Sequence, residues 1–419
     1  MKAKMKKLLT IALVCSAVAC KKETSVSSST STSDSTTSSS SSTTYYYQSG
    51  STVTQTGKTY YSTISDTGGV EVTNSGIYTL SDARIWSSGS TTSTDSSSFY
   101  GLNACVLATG GATITLSNDS ISTSGISGNG VYSYGSSTVT LSTDTINCTG
   151  SGGHGIYAAG GGVLKATDVI AVTTGSSASV IATDRGGGTI TVSGGSYTSG
   201  GSNSADVYST GTITVTGATL TATAAEAVVV EGANNATLTN CTTKVTYDKW
   251  GALIYQSTSG DASGTVGTLT ITGGSYTYTG TSGGLFYNTN DSAYIYLNDV
   301  TISNSCDTLL RSMEGSWGQS STASSGGNTR LICDDQTISG LIYIDGSSEA
   351  TLKLTDGSVF SGSVNPGDVA KVAAVVIDAS SSWTLTGDTY LTSLTDATTS
   401  YSNITANGYK LYVNGTEIL

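Results

Sequence analysis

Gly188-Thr189-Ile190-Thr191-Val192-Ser193-Gly194-Gly195-Ser196-Tyr197 is the stretch on which the fold turns. Thr alternates there with an apolar residue, the period of a strand that buries one face. The Gly-Gly pair then permits a tight turn into a second short run. The same phrase returns as Thr113-Ile114-Thr115-Leu116, Thr138-Val139-Thr140-Leu141, Thr212-Ile213-Thr214-Val215 and Thr268-Leu269-Thr270-Ile271. Between copies lies another apolar run, often with Tyr, as in Gly130-Val131-Tyr132, Gly155-Ile156-Tyr157, Val207-Tyr208, Ile254-Tyr255, Phe286-Tyr287 and Ile342-Tyr343. A fixed period of this size means stacked units that bury their apolar faces on one another.

The apolar residue within each run serves as a marker: Ile114, Val139, Leu164, Ile190, Ile213, Ala236, Leu269, Ile295, Arg330 or Leu331, Leu352 and Trp383. Early spacings are 25, 25, 26, 23 and 23. Later ones swell where loops are inserted, at Gln256 to Gly267 and Ser312 to Asn328. Upstream, Val70 to Ile85 and Asn103 to Thr109 read as less regular coils. Turn pairs follow the markers: Asn118-Asp119, Thr143-Asp144, Gly194-Gly195, Gly217-Ala218, Gly273-Gly274, Asn298-Asp299, Asp334-Asp335, Asp356-Gly357 and Gly387-Asp388. These residues suit left-handed or tight-turn backbone. The expected fold is all-β, a right-handed parallel β-helix of about eleven coils and about 50 Å. A sandwich or barrel is the competing reading, but such folds rarely keep one period so long. The closing segment, Ile404 to Leu419, is expected to pair over the last coil and blunt its edge.

Composition agrees. Charged residues make up 11%, with 52 Gly and one Pro, and no window after the first twenty residues sustains a helical period. The net charge is −12, and removing Lys2, Lys4, Lys6 and Lys7 with a signal segment would take it to −16 (−12 minus 4). That balance speaks against nucleic acid, which needs clustered Lys and Arg.

Residues 1–19 read as an export signal: a basic start, an apolar Leu8 to Val14, then Ala17-Val18-Ala19-Cys20. Small residues before that Cys resemble the bacterial lipoprotein lipobox, which implies cleavage before Cys20 and lipid on its thiol; Ala17 stands where Leu is usual. Lys21-Lys22-Glu23 loosely resembles the charged surface-export signal of Bacteroidetes lipoproteins. Residues 20–44, almost pure Ser and Thr after the charged triplet, read as a flexible tether. The β-helix is expected over 45–403 and a cap over 404–419. The implied location is the bacterial envelope, lipid-anchored at the outer membrane and surface-exposed.

The repeat region, roughly residues 65 to 400, resembles the pectin-lyase-like β-helix surface proteins of bacteria, particularly adhesin-like lipoproteins. The resemblance implies the architecture and leaves activity open, since that superfamily includes lyases, hydrolases and pure binders.

Few residues carry chemistry. His154, the one histidine, sits in Gly152-Gly153-His154-Gly155, which resembles one polygalacturonase motif. The paired Asp334-Asp335 lies far downstream instead of upstream and no Arg-Ile-Lys follows, so a turn histidine is expected. Asp184-Arg185, before Gly186-Gly187-Gly188, offers one carboxylate and one base, read as a polar pair at a glycine turn. A calcium site would need converging carboxylates; turn chemistry accounts better for the recurring Asp, and no catalytic residue, metal or cofactor is assigned. Cys105, Cys148, Cys241, Cys306 and Cys333 are expected to be buried, stacked free thiols, a disulfide between coils being the alternative. The Thr-x-Thr columns raise ice binding, but Lys165, Tyr294, Tyr296 and Lys353 interrupt them.

The tyrosines are the better clue, 24 against three Phe. Tyr132, Tyr157, Tyr208, Tyr255, Tyr287 and Tyr343 form the candidate ligand face: pointing outward, they would make an aromatic ladder able to stack on sugars and hydrogen-bond through their hydroxyls. Ordinary strand Tyr is the competing reading. The expected function is a tethered, non-catalytic surface protein that binds polysaccharide or mediates adhesion. A polysaccharide lyase or glycoside hydrolase is the alternative, and a structural envelope protein the third reading.

Overall fold

The computed structural model describes residues 44–257, 262, 264–315 and 326–419. Cys20, the signal segment, nearly all of the tether and parts of both expected loop insertions lie outside the described residues. The rest is a parallel β-helix. Three long sheets form its walls. The first starts at Tyr46–Ser49 and has 12 strands, the second starts at Thr52–Thr56 and has 14, and the third starts at Thr59–Ser62 and has 10. A four-stranded sheet of Thr337–Ser339, Val359–Gly362, Ser382–Leu385 and Ile404–Thr405 follows towards the C-terminus.

The alternation read from the sequence holds the second sheet together. Ile114, Val139, Leu164, Ile190, Ile213, Ala236, Leu269, Ile295, Leu331 and Leu352 are register partners in one inward column, all buried. Leu331, not Arg330, is the inward residue. The column continues through Val375 to Leu394; Trp383 belongs to the four-stranded sheet, opposite Phe360 and Ile404. The solenoid has about 14 turns, not eleven. The additional coils lie near its ends, where strands such as Ile77–Ser81 and Val372–Ile377 depart from the Thr-x-Thr phrase.

One corner is built from left-handed residues. Between the second sheet and its successor, φ is positive at Asn118, Thr143, Asp168, Gly194, Gly217, Asn240, Gly273, Asp299, Asp335 and Asp356. Asn and Asp tolerate this region and Gly enters it freely. In two coils the next residue turns inward as a stitch. The buried Asp119 carboxylate accepts from Ala83 N at 2.7 Å, and Asp144 accepts from Asp119 N at 2.8 Å. Gln336 repeats the device, accepting from Val300 N at 2.8 Å.

These stitches make stability depend on pH. Burial pushes Asp119 up to about 6 and Asp144 up to about 7, against about 3.9 for an unfolded Asp. The folded chain therefore holds protons that the unfolded chain has released. That contribution is complete below about pH 4 and is lost as pH rises through 6 and 7. Burial also pushes Asp291 up to about 6. His154 acts oppositely, pushed down to about 4 by burial, but only below about pH 6.5. The expected result is a higher Tm at pH 6 than at pH 8, with the difference shrinking in Asp144→Asn. Equal melting curves at the two pH values would refute it.

A second corner is a seam of buried glycines: Gly89, Gly125, Gly150, Gly175 and Gly201. A Cβ on Gly125, Gly150, Gly175 or Gly201 would lie 1.9, 1.9, 2.0 or 1.7 Å from the carbonyl oxygen of the previous glycine in the seam. Neighbouring coils touch backbone to backbone there.

Both ends are closed. At the first coil, Gln48 donates through Nε2 to Gly50 O and Ile77 O at 2.9 and 3.1 Å, and Gln55 accepts from the hydroxyls of Tyr60 and Tyr78. Tyr46 stacks on Tyr78 with centroids 4.5 Å apart. At the other end, Ile404–Thr405 pairs with Ser382–Leu385, and Leu411–Val413 pairs in parallel with Thr389–Leu391 and antiparallel with Thr416–Glu417.

Candidate functional site: the outer face of the first sheet

The second sheet alternates buried and part-exposed residues, but several strands of the first are buried on both faces, as at Ile156–Ala159, Val228–Glu231 and Gly284–Thr289. Something covers its outer side. Five of the six candidate tyrosines stand in one column on that side, in register through Leu107, Tyr132, Tyr157, Ala182, Tyr208, Val229, Leu253, Tyr287, Arg311 and Tyr343. Tyr255 stands two residues along, between Glu231 and Thr289. All six face away from the core, yet they do not form one open ladder. Tyr132, Tyr157 and Tyr287 are buried, whereas Tyr208, Tyr255 and Tyr343 are half-buried.

A helix, Thr94–Tyr100, closes the N-terminal part of this face. Ser93 caps it by accepting from Ser96 N, and Gly101 ends it in left-handed conformation at φ 80°. Tyr132 donates its hydroxyl to Ser98 O, and Ser97 donates to Ser127 O at 2.5 Å. Tyr100 meets Tyr134 edge-on at 5.5 Å. Asp184 and Arg185 belong to the same clamp. Asp184 is buried and accepts from the Tyr157 hydroxyl at 2.5 Å, while the Arg185 guanidinium lies 3.8 Å over the Phe99 ring. His154 occupies a corner. Its N–H donates to Asn129 Oδ1 at 2.9 Å, its Nδ1 donates to Ser179 O at 3.3 Å, and its ring lies 4.4 Å from that of Tyr157. Burial keeps it neutral at pH 7. It lies in the irregular segment just before the strand Ile156–Ala159.

The middle of the face is open. A cavity of about 230 Å³ lies among Tyr208, Tyr247, Tyr255, Glu226, Lys249 and Leu253. Beneath it is Glu231, 1% exposed, whose carboxylate accepts from the hydroxyls of Tyr208, Tyr255 (2.9 Å) and Ser257. Burial, then the neighbouring Tyr255 and Glu231, hold the Tyr208 phenol well above its usual range, so it stays a donor. Glu231 thereby fixes two aromatic rings and one hydroxyl of the adjoining segment. On the groove wall, burial raises the Glu226 carboxyl against the opposing pull of Lys249. Trp250 stacks on Tyr287 at 4.2 Å, and the Arg311 guanidinium lies 5.2 Å from the Tyr343 ring. The groove thus offers aromatic surface, phenolic hydroxyls, one carboxyl and one ammonium.

The sequence reading missed Glu226, Glu231, Tyr247, Lys249 and Trp250. One signal was available: Glu231 ends the apolar run Val228-Val229-Val230, in the parity that points outward.

The other candidates resolve simply. The five cysteines are free; Cys105, Cys148, Cys241 and Cys333 are buried, and Cys306 is half-buried. They are not stacked in one column. Cys148 pairs in register with Thr123 and Thr173, Cys333 with Leu297 and Leu354. Among the described residues no group of three His, Cys, Asp or Glu is placed to share an ion. The outer Thr column of the second sheet runs Thr115, Thr140, Lys165, Thr191, Thr214, Thr237, Thr270 and Tyr296, interrupted where the sequence indicated. Among the described residues no helix is long and apolar enough to cross a membrane.

The fold defines the chain as a parallel β-solenoid. No family model, curated protein or solved structure matches it.

Proposed function

We propose that this chain is a lipid-anchored surface protein of the bacterial envelope that binds polysaccharide through the middle of its first sheet. It resembles the pectin-lyase-like, adhesin-like lipoproteins, with Cys20 as the lipid site and the Ser/Thr tether as spacer. The observation that carries the reading is the groove at Tyr208, Tyr247 and Tyr255. Aromatic rings there are locked by a buried carboxylate, beside the carboxyl of Glu226 and the ammonium of Lys249. Rigid aromatic faces with a few polar groups are what a sugar chain requires: stacking for its C–H faces and hydrogen bonds for its hydroxyls.

Tyr255→Ala is expected to weaken retention of the mature protein on its preferred glycan at least tenfold, as read on a polysaccharide array. Glu231→Gln is expected to weaken it less, because an amide oxygen still accepts from at least one phenol. If no glycan is retained, and deletion leaves cell adhesion unchanged, the reading fails.

The alternative is a lyase or hydrolase on the same groove. The Glu226 carboxyl, raised by burial beside Lys249, favours it, since a general acid must hold its proton before transfer. Unsaturated or reducing ends released from a uronan, and abolished in Glu226→Gln, would establish it. Asp184 and Arg185 lie away from this groove, Asp184 accepting from the Tyr157 hydroxyl and Arg185 resting on Phe99 of the helix.

A further inference from the structure

The third sheet carries a different recess on another face of the rod. Its outer column reads Tyr61, Trp86, Ser122, Asn147, Val172 in register. Tyr61 and Trp86 are half-buried and lie nearly parallel, 7° apart with centroids separated by 4.8 Å. That is the spacing between adjacent strands, so each ring is one rung of a stack. The next rung is Ser122, which has no ring. The stack therefore stops with one face of the Trp86 indole turned towards a gap. The gap is a recess of about 390 Å³, lined by Arg84, Trp86, Ser122, Ser124, Asn147 and Thr149.

We propose that this recess holds a pyranose ring of a glycan, seated on Trp86 as the missing rung. The volume lies within the range of small-ligand sites. A sugar ring presents a flat C–H face to the indole, and its edge carries hydroxyls. The recess wall matches that edge: Arg84 donates only, the hydroxyls of Ser122 and Ser124 donate and accept, and the Asn147 amide does both. Arg84, Ser124 and Asn147 are exposed, so their polar groups are open to a ligand, while the exposed Thr149 hydroxyl donates to Thr123 O at 3.4 Å and is left to accept. Arg84 also accommodates a carboxylate on the sugar, so neutral and uronic rings both fit. This site is built by different residues from the Tyr208–Tyr255 groove and stands independently of it. Two sites on two sheets would let one rod hold two glycan chains.

The test is calorimetric titration of the signal-free full chain with glucose, galactose and galacturonate hexasaccharides. Variants are Trp86→Ala, Ser122→Tyr and Tyr255→Ala. Ser122→Tyr matters most. It leaves Trp86 in place, lies on a half-exposed strand position, and fills the gap with a ring continuing the stack. The expected result is that at least one hexasaccharide binds, and that Trp86→Ala and Ser122→Tyr each raise its Kd at least tenfold at the site that Tyr255→Ala leaves intact. Binding that Ser122→Tyr does not weaken, or no binding by any of the three, overturns the proposal. Loss in Tyr255→Ala alone would overturn it too while supporting the groove on the first sheet.

Discussion

Gly150→Ala is expected to destabilise the rod by about 3 kcal/mol or more, although it adds a single methyl group to a corner. The added Cβ would lie 1.9 Å from Gly125 O, 2.6 Å from Gly125 C and 3.1 Å from Ser124 O. All three are backbone atoms of the preceding coil, so no side chain can swing away. Relief requires the two coils to separate, which lengthens neighbouring bonds such as Thr149 N to Thr123 O, now 2.9 Å. Gly217→Ala is the comparison. Gly217 has φ +65° and nothing within 4 Å of an added Cβ, so only backbone strain of about 1–2 kcal/mol applies. Thermal unfolding with amide exchange separates the two. Lost protection should concentrate on the coils flanking Gly150, because a solenoid couples mainly nearest neighbours. Gly150→Ala as mild as Gly217→Ala would show that the seam is not tightly packed.

Trp383→Ala should cost at least about 4 kcal/mol at the C-terminal end. Trp383 is fully buried, packs on Phe360 with centroids 5.8 Å apart, and donates from Nε1 to Gly362 O at 3.0 Å. Its loss combines a cavity, worth about 3–5 kcal/mol for a large aromatic, with one lost hydrogen bond, worth about 0.5–1.5 kcal/mol, since Gly362 O keeps Thr386 N as a donor at 3.4 Å. Trp383→Phe keeps most of the volume and forfeits the bond, so about 1–2 kcal/mol is expected. The readout is denaturant unfolding with limited proteolysis, in which cleavage after Trp383→Ala should begin in the capping strands. Equal effects of the two substitutions would remove the packing argument.

How far such features could be read beforehand depends on their range. Thr189-Ile190-Thr191-Val192 reveals its strand because alternation is local, and the left-handed Asn118, Asp168 and Asn240 reveal the corner because their residue types are restricted. The helix at Thr94–Tyr100 was not legible: Ser96-Ser97-Ser98 carry no apolar stripe, and the helix owes its place to contacts such as Tyr132 with Ser98. Asp119 and Asp144 were read as turn residues, and only their partners in the preceding coils show them to be inward stitches. The candidate face divides similarly. Spacing placed five tyrosines in one column. It could not show that a distant segment covers Tyr132 and Tyr157, or that Glu231 anchors Tyr208 and Tyr255.

The shared register of the coils also governs how such a chain can be altered by descent. Each coil presents the same inward column to the coil before it and to the coil after it. Deleting one repeat, or copying it, would therefore join surfaces that already match. The natural unit of inheritance is the whole coil, and the outward residues it carries travel with it. An aromatic step such as Tyr61–Trp86 can thus be gained, lost or relocated by recombination without rewriting the interior.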